Sequence, residues 1–287
     1  MMYSVRRVNL IITKIEDRGR ERMRFVSLSS GSSGNSTYIG SAGTHILIDA
    51  GCSRKRIIDG LNSLDVDLPD INGIFITHEH SDHIAALRLI LKKYDIPVYA
   101  TQGTIQGIRE ADKNGEMLDK EFHVIRSDEP VILGDITINP MRISHDAREP
   151  VGFRIACEGR KCAVATDLGS YDDYIVGCLQ DMDALLLEAN HDVRMLQTGP
   201  YPYQLKMRIA GNQGHLSNDM SGELLCKLLN DHMKGIVLGH LSDKNNLPEL
   251  AYETVRLAID MGDNPYHSSD IPLYVAKRSE VSQVIEI

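Results

Sequence analysis

The chain has 287 residues, of which 42% are apolar and 25% are charged, a composition that supports a large buried core. It contains no apolar run near the roughly 18 residues that a membrane span needs, so we expect no membrane partner. A net charge of −9 argues against non-specific coating of nucleic acid, although a local basic patch remains compatible with it. Five cysteines without C-x-x-C spacing favour reduced thiols and a cytoplasmic location: Cys52, Cys157, Cys162, Cys178 and Cys226.

The first 22 residues differ in composition from the rest of the chain. The apolar segment from Val8 to Thr13 is too short for a secretory signal, and a solvated charge run continues to Arg22. A strand pattern then begins at Arg24. We therefore predict that residues 1–22 are an extension outside the fold and that residues 23–287 form a single domain.

A serine- and glycine-rich segment from Ser29 to Ser36 joins two short predicted strands. Such segments are usually flexible linkers, but the flanking strands favour a tight, ordered loop. Its glycines allow backbone N–H groups to approach an anion, so Ser33, Asn35 and Ser36 are candidates for substrate binding. The next strand ends at Asp49, for which two interpretations stay open: a carboxylate that holds a metal-ligating imidazole, or a simple turn residue.

The centre of the sequence is a strand-like apolar segment, Gly73–Thr77, followed at once by a dense polar hexamer. The hexamer has the form H-x-H-x-D-H and contains His78, His80, Asp82 and His83. A helical pattern with one apolar face begins directly after it. Crowded imidazoles and carboxylates repel one another or lose solvation unless a cation binds them, and zinc, manganese and iron accept such ligands. The sequence therefore predicts a metal site at the carboxyl end of a buried strand.

Further along the chain, apolar strands end in isolated side chains of the same chemical type. His145, Asp167 and His240 each follow such a strand. Taken alone, each would more often be a loop or core residue, but three in this order after H-x-H-x-D-H favour metal binding. The order of strand-like and helix-like segments favours two mixed sheets packed together, with helices outside, over a doubly wound sheet.

This combination of motif and later residues resembles the metallo-β-lactamase superfamily. The resemblance implies an α/β (α+β) fold, a four-layer αββα sandwich with a dinuclear metal site at the edge between the two sheets. It also implies two divalent ions, zinc or manganese. One ion would be held by His78, His80 and His145 and the other by Asp82, His83 and His240, with Asp167 bridging both.

Two departures narrow the class that this resemblance suggests. Asp167 stands where the antibiotic-hydrolysing members carry cysteine. His80 stands where the oxygen-reducing diiron branch carries glutamate. Both choices favour hydrolytic over redox chemistry.

Motifs outside the metal ligands are similar to the YycJ/WalJ-type branch, over most of residues 23–260. They are Ser27–Ser36, Glu188–Asp192, Gly199–Pro202, His215–Asn218 and Gly239–Ser242 with Asn245 and Asn246. Members of that branch are regarded as metal-dependent hydrolases with proposed DNA exonuclease activity, so the resemblance implies a nuclease. Glu188 and His215 also resemble a pair in the more distant ribonuclease Z branch.

We therefore expect phosphodiester hydrolysis by a hydroxide that two metals activate, with DNA favoured over RNA as the partner. Asp82 or Asp167 is expected to help orient the hydroxide. Glu188 is expected to orient His215, which would protonate the leaving oxygen. The alternative for this pair is a hydrogen bond that only rigidifies a loop.

Residues 192–214 are a candidate flap over the site. Its basic side chains, among them Arg208, would meet phosphates, and its tyrosines, among them Tyr201, would stack on bases. The alternative is an ordinary amphipathic helix with a solvated basic face. For the whole protein, a hydrolase of small esters, thioesters or phosphodiesters and a catalytically weak regulatory binding protein stay open as alternatives. The sequence leaves the oligomeric state open.

Overall fold

Two mixed β-sheets lie face to face, and helices cover the outer surface of each. The computed structural model of the protein describes residues 23–117 and 120–287, so the predicted extension, residues 1–22, lies outside the described residues. The first half contains β1 (Arg24–Ser29), β2 (Ser36–Gly40), β3 (His45–Ile48), α1 (Arg54–Asn62), β4 (Gly73–Phe75), α2 (Ser81–Ile84), α3 (Leu87–Leu91), β5 (Val98–Thr101), α4 (Gln102–Ala111) and β6 (Phe122–Ile125). The second half contains β7 (Val131–Leu133), β8 (Ile136–Arg142), β9 (Val151–Cys157), β10 (Arg160–Ala165), α5 (Asp173–Leu179), β11 (Ala184–Glu188), α6 (Val193–Thr198), α7 (Tyr203–Ala210), α8 (Asn218–Leu228), β12 (Gly235–Gly239), α9 (Pro248–Met261), β13 (Leu273–Val275) and β14 (Ile285–Glu286).

The two sheets have the same topology. Within the described residues, the strand order is β14-β1-β2-β3-β4-β5-β6 in the first sheet and β13-β12-β11-β10-β9-β8-β7 in the second. In each sheet an antiparallel part, β14 to β3 or β7 to β10, continues into a parallel part, β3 to β6 or β10 to β13. Parallel strands end at one edge, so the loops after β3, β4, β10, β11 and β12 gather the candidate site residues there.

Apolar side chains fill the three spaces between the four layers. Phe75 and Phe153 meet edge-on between the sheets, with ring centroids 5.7 Å apart. Ile74 lies in the apolar cluster between the first sheet and its helices, and Leu185 lies in the corresponding cluster of the second sheet. The predicted four-layer αββα arrangement is confirmed. Within the described residues, no helix combines the length and the apolar character that crossing a membrane requires.

Candidate metal centre

Three residues at strand ends adopt left-handed backbone conformations. Asp49 follows β3 with φ 65°, Asp167 follows β10 with φ 59°, and His240 follows β12 with φ 55°. Each costs about 1–3 kcal/mol and persists only where the surroundings enforce it. Strained residues that gather at one sheet edge point to a functional site there.

One group of imidazoles comes from the hexamer and from the loop after β8. Atoms of His78, His80 and His145 that could bind a metal all lie within 4.8 Å of one another. His145 Nδ1 donates to the Gly214 carbonyl at 3.1 Å, which turns Nε2 toward His80 Nδ1, 3.3 Å away. His78 and His145 are buried, and His80 is half-buried. This group is the predicted set for the first ion.

A second group joins the hexamer to the end of β12. Ligand-type atoms of Asp82, His83 and His240 also lie within 4.8 Å of one another. Asp82 Oδ2 is 3.3 Å from His240 Nε2 and 3.5 Å from His83 Nε2. These are the residues predicted to hold the second ion.

Asp167 lies between the two groups. Its carboxylate is 3.2 Å from His83 Nε2, 3.5 Å from His240 Nε2 and 3.7 Å from His145 Nε2. Asp167 Oδ2 and His78 Nε2 are buried and have no hydrogen-bond partner among the described residues. A buried polar atom left unpaired costs about 1–3 kcal/mol, and a shared divalent cation would satisfy both atoms. The set of imidazole nitrogens and carboxylate oxygens therefore fits a divalent ion such as zinc or manganese.

Asp49 holds His83 through the ring nitrogen that faces away from the cluster. Its Oδ2 accepts a hydrogen bond from His83 Nδ1 at 2.7 Å, and its Oδ1 accepts one from Thr77 N at 2.8 Å. Carboxylates that accept from the outer nitrogen of a ligating imidazole fix the orientation of its ring. Of the two interpretations of Asp49, the contacts favour the one that holds an imidazole.

Glu188 joins the second group to His215. Its Oε1 accepts from His215 Nδ1 and from His240 Nδ1, each at 2.8 Å, while Oε2 accepts from the backbone N–H groups of Leu168 and Leu216. Burial alone would raise the pKa of Glu188, but His215 and His240 lower it to about 2. The carboxylate is fully buried, ionised and saturated with donors, so it fixes both imidazoles.

The protonation of the buried imidazoles differs from one residue to the next. Burial, helped by neighbouring His83, holds the pKa of His78 well below its usual value. For His240, burial acts in the same direction, but Asp167, Asp82 and Glu188 outweigh it and raise the pKa to about 10. A cation that takes the protonated His240 as a ligand must displace a proton, whereas the neutral His78 has none to lose, so metal binding at His240 releases a proton.

The serine- and glycine-rich loop reaches the cluster through one of its three candidate residues. Asn35 Nδ2 lies 3.1 Å from His83 Nε2 and 3.4 Å from Asp82 Oδ2. Ser36 is buried and its hydroxyl donates to the Asp49 carbonyl, so it supports the loop and does not face a substrate. This contact argues against the substrate-binding role predicted for Ser36. Ser33 is exposed in the same loop.

Of the other two predicted substrate contacts, Arg208 reaches the cluster through Asp146. Arg208, on α7, forms an ion pair with Asp146, and Tyr201 is half-buried in the turn before that helix. Asp146 Oδ1 is 3.6 Å from His145 Nε2 and 3.9 Å from His80 Nε2. Asp146 was not predicted as a site residue, although its position directly after His145 was a signal.

The comparisons with known proteins agree with this geometry. A family model described as a beta-lactamase superfamily domain matches residues 44–236. The chain is 37% identical over 232 residues to the "Exodeoxyribonuclease WalJ" of Streptococcus pneumoniae serotype 2, covering 81% of this chain and 86% of that protein. It is 36% identical over 238 residues to the "Exodeoxyribonuclease YycJ" of Bacillus anthracis, covering 83% of this chain and 89% of that protein. The crystal structure of the metallo-β-lactamase fold protein YhfI from Bacillus subtilis superposes with a TM-score of 0.66 at 16% identity, over 92% of this chain and 99% of that one.

The chain belongs to the β-lactamase superfamily, and its fold and clustered imidazoles and carboxylates are those of a metal-dependent hydrolase. Within the superfamily it belongs to the family of the WalJ and YycJ proteins. The predicted resemblance is confirmed at both levels.

Proposed function

We propose that the protein is a DNA exonuclease that hydrolyses phosphodiesters with two divalent metal ions. The observation that carries the proposal is the convergence of the predicted ligands from both sheets beside a histidine held by a buried carboxylate. The family relatives, both called exodeoxyribonucleases, support DNA as the substrate. The five cysteines show no C-x-x-C spacing, which favours a reducing compartment, and we assign the activity to the cytoplasm. The proposed ligands are His78, His80 and His145 for one ion and Asp82, His83 and His240 for the other, with Asp167 between them.

Each residue has a separate task in this proposal. Divalent ions bound here supply positive charge that lowers the pKa of a water and neutralises phosphate oxygens. Asp82 and Asp167 lie among the imidazoles, where a carboxylate oxygen can orient the attacking water. Asn35 and Arg208 flank the cluster and can donate to the phosphate.

The proposed function is tested by turnover on several substrates in parallel. The protein is reconstituted with Zn²⁺ or with Mn²⁺ and given end-labelled single- and double-stranded DNA, the same RNA sequences and a small aryl phosphodiester. We expect DNA to be shortened progressively from one end, faster than RNA. Cleavage of the small phosphodiester alone would identify a small-molecule hydrolase, and preference for RNA would overturn the assignment to DNA.

His215 is the proposed proton donor for the leaving oxygen. Glu188 holds Nδ1, so Nε2 is the nitrogen left to exchange a proton with a substrate. An alkoxide is a poor leaving group, so His215→Ala is expected to slow DNA cleavage by about 10²–10⁴-fold, with both metals and the fold retained. An aryl phosphodiester needs little protonation and should lose much less rate. Equal slowing of both substrates would instead make His215 a positioning residue, and no slowing would make the pair structural.

A further inference from the structure

One arginine on the outer face of the second sheet lacks an anionic partner. Arg154 lies on β9 between Phe153 and Ile155, which face the core between the two sheets. Because side chains alternate along a strand, the Arg154 side chain points to the outer face of the second sheet. Its Nε is buried without a hydrogen-bond partner, and among the described residues no carboxylate forms an ion pair with it. It lines a cavity of about 270 Å³ together with Lys161 and Asn139. A partly buried guanidinium without an ion pair would be stabilised by a bound anion.

A larger cavity, of about 550 Å³, begins at the candidate metal centre itself. His145 lines it, and Arg142, Arg148 and Tyr171 continue its wall away from the imidazole cluster. The Arg142 guanidinium stacks over the Tyr174 ring, 4.6 Å from its centroid, and is 67% exposed. This cavity therefore combines exposed cations with aromatic rings beside the reacting groups.

Helix α5 forms part of both cavities. Tyr174 and Ile175 line the larger one, and Gly177 and Cys178, one turn further along, line the smaller one. Four basic side chains line the two cavities, Arg142 and Arg148 the larger one and Arg154 and Lys161 the smaller one, against two lining carboxylates, Asp172 and Asp181. Arg142 and Arg148 also pair with carboxylates outside the two linings, Asp128 and Glu110, so Arg154 is the lining arginine that forms no ion pair among the described residues.

We propose that the two cavities form one groove, the α5 groove, which binds single-stranded DNA on one side of the bond to be cleaved. Arg142 and Arg154 bind successive parts of its phosphate backbone. This inference rests on the proposed function, because it takes the strand to be the substrate of the neighbouring metal centre. The basic side chains that line the α5 groove allow a protein of net charge −9 to bind a polyanionic strand.

The test measures binding and turnover separately. Fluorescence anisotropy with metal-loaded protein and labelled phosphorothioate oligothymidylates of about 4 and about 16 nucleotides gives Kd, and the aryl phosphodiester reports the metal centre. For Arg142→Gln and Arg154→Gln, we expect Kd for the longer strand to rise about tenfold in each. Each should also flatten the dependence of log Kd on log salt by about 0.7. The small phosphodiester, the metal content and the melting temperature should stay unchanged.

The control matched to Arg142 is Arg126→Gln, since Arg126 is an exposed arginine paired with Glu129, as Arg142 is with Asp128, but lines neither cavity. Unchanged Kd for the longer strand in both groove variants would overturn the proposal. The same variants are also titrated with inorganic phosphate: loss of phosphate binding without loss of strand binding would make Arg154 part of a small-anion site instead. An acidic peptide is the competing ligand, and tighter binding of it than of DNA would assign the groove to a protein partner. Failure of the proposed function is distinguishable, because the wild type would then bind the strand without shortening the unmodified oligonucleotide.

Discussion

At the scale of single residues, Asp167 is the carboxylate on which the candidate site depends most. It lies within 3.7 Å of imidazole nitrogens from four separate segments of the chain: His83, His145, His215 and His240. It is buried, its Oδ2 has no hydrogen-bond partner within the part of the chain that the structure describes, and its backbone is left-handed. These features make sense together if the side chain is positioned for a cation shared by both imidazole groups.

We predict that Asp167→Ala weakens metal binding by more than about 100-fold, since removing even an outer partner of a ligand costs 10–100-fold. Elemental analysis after dialysis and isothermal titration with Zn²⁺ measure the loss. Asp65→Ala is the matched control, because Asp65 has nearly the same backbone angle, φ 57° against 59°, but is exposed outside the cluster. Retention of two tightly bound ions by Asp167→Ala would exclude Asp167 as a ligand.

Among the residues of the candidate site, sequence patterns located those that follow strands. His145, Asp167 and His240 could be predicted because an apolar strand fixes where the next side chain emerges. The orientations of the Ser36 and Asp146 side chains could not be predicted, because the direction of a side chain in a loop depends on contacts with distant segments. Ser36 turns inward to the Asp49 carbonyl, and Asp146 reaches Arg208 on α7.

At the scale of elements, the ligand-bearing helix α2 is fixed by backbone contacts with the loop after β3. Ala50 N donates to the His83 carbonyl, and Ala86 N donates to the Ala50 carbonyl. The approach is so close that a Cβ added at Gly51 would lie 1.6 Å from the Asp82 carbonyl oxygen. The absence of a side chain at Gly51 therefore sets the position of two proposed ligands.

We predict that Gly51→Ala displaces α2, lowers the free energy of unfolding by about 1–3 kcal/mol or more, and weakens metal binding. Denaturant unfolding and metal titration measure the two effects. Gly177→Ala is the matched control, since a Cβ there meets nothing within 4 Å, and in helix α5 it should stabilise by about 0.5–1 kcal/mol. Native-like metal affinity in Gly51→Ala would show that the loop adjusts without moving the ligands.

These contacts also explain where the periodicity of the sequence was misleading. One helix was predicted after the hexamer, but α2 ends at Ile84 and α3 begins at Leu87. Ala86 N, which a continuous helix would use internally, is bonded to Ala50 in the neighbouring loop. A tertiary contact thus overrides the local apolar pattern, and a single-sequence pattern contains no sign of it.

At the scale of the whole molecule, the last strand, β14, pairs with β1 and forms one edge of the first sheet. Met23 N donates to the Ile287 carbonyl and Ile287 N to the Met23 carbonyl, each at 2.9 Å, beside the pairing of β1 with β14. Ile285 is buried against Gly235, at the start of β12 in the other sheet. The layer order could be predicted from the order of segments, but this pairing could not, because local patterns do not specify contacts between chain ends.

The pairing of β1 with β14 leads to the final prediction, which compares the removal of residues 1–22 with the removal of Ile285–Ile287. A protein that starts at Met23 keeps the strand pair, so we expect its melting temperature and turnover to equal those of the full chain. A protein that lacks Ile285–Ile287 loses two buried isoleucines, each contributing about 1.5–3 kcal/mol, and should melt more than about 5 °C lower. Calorimetry on both proteins measures the contrast. A drop of several degrees on removing residues 1–22 would show that they stabilise the domain, and the prediction that they lie outside the fold would be wrong.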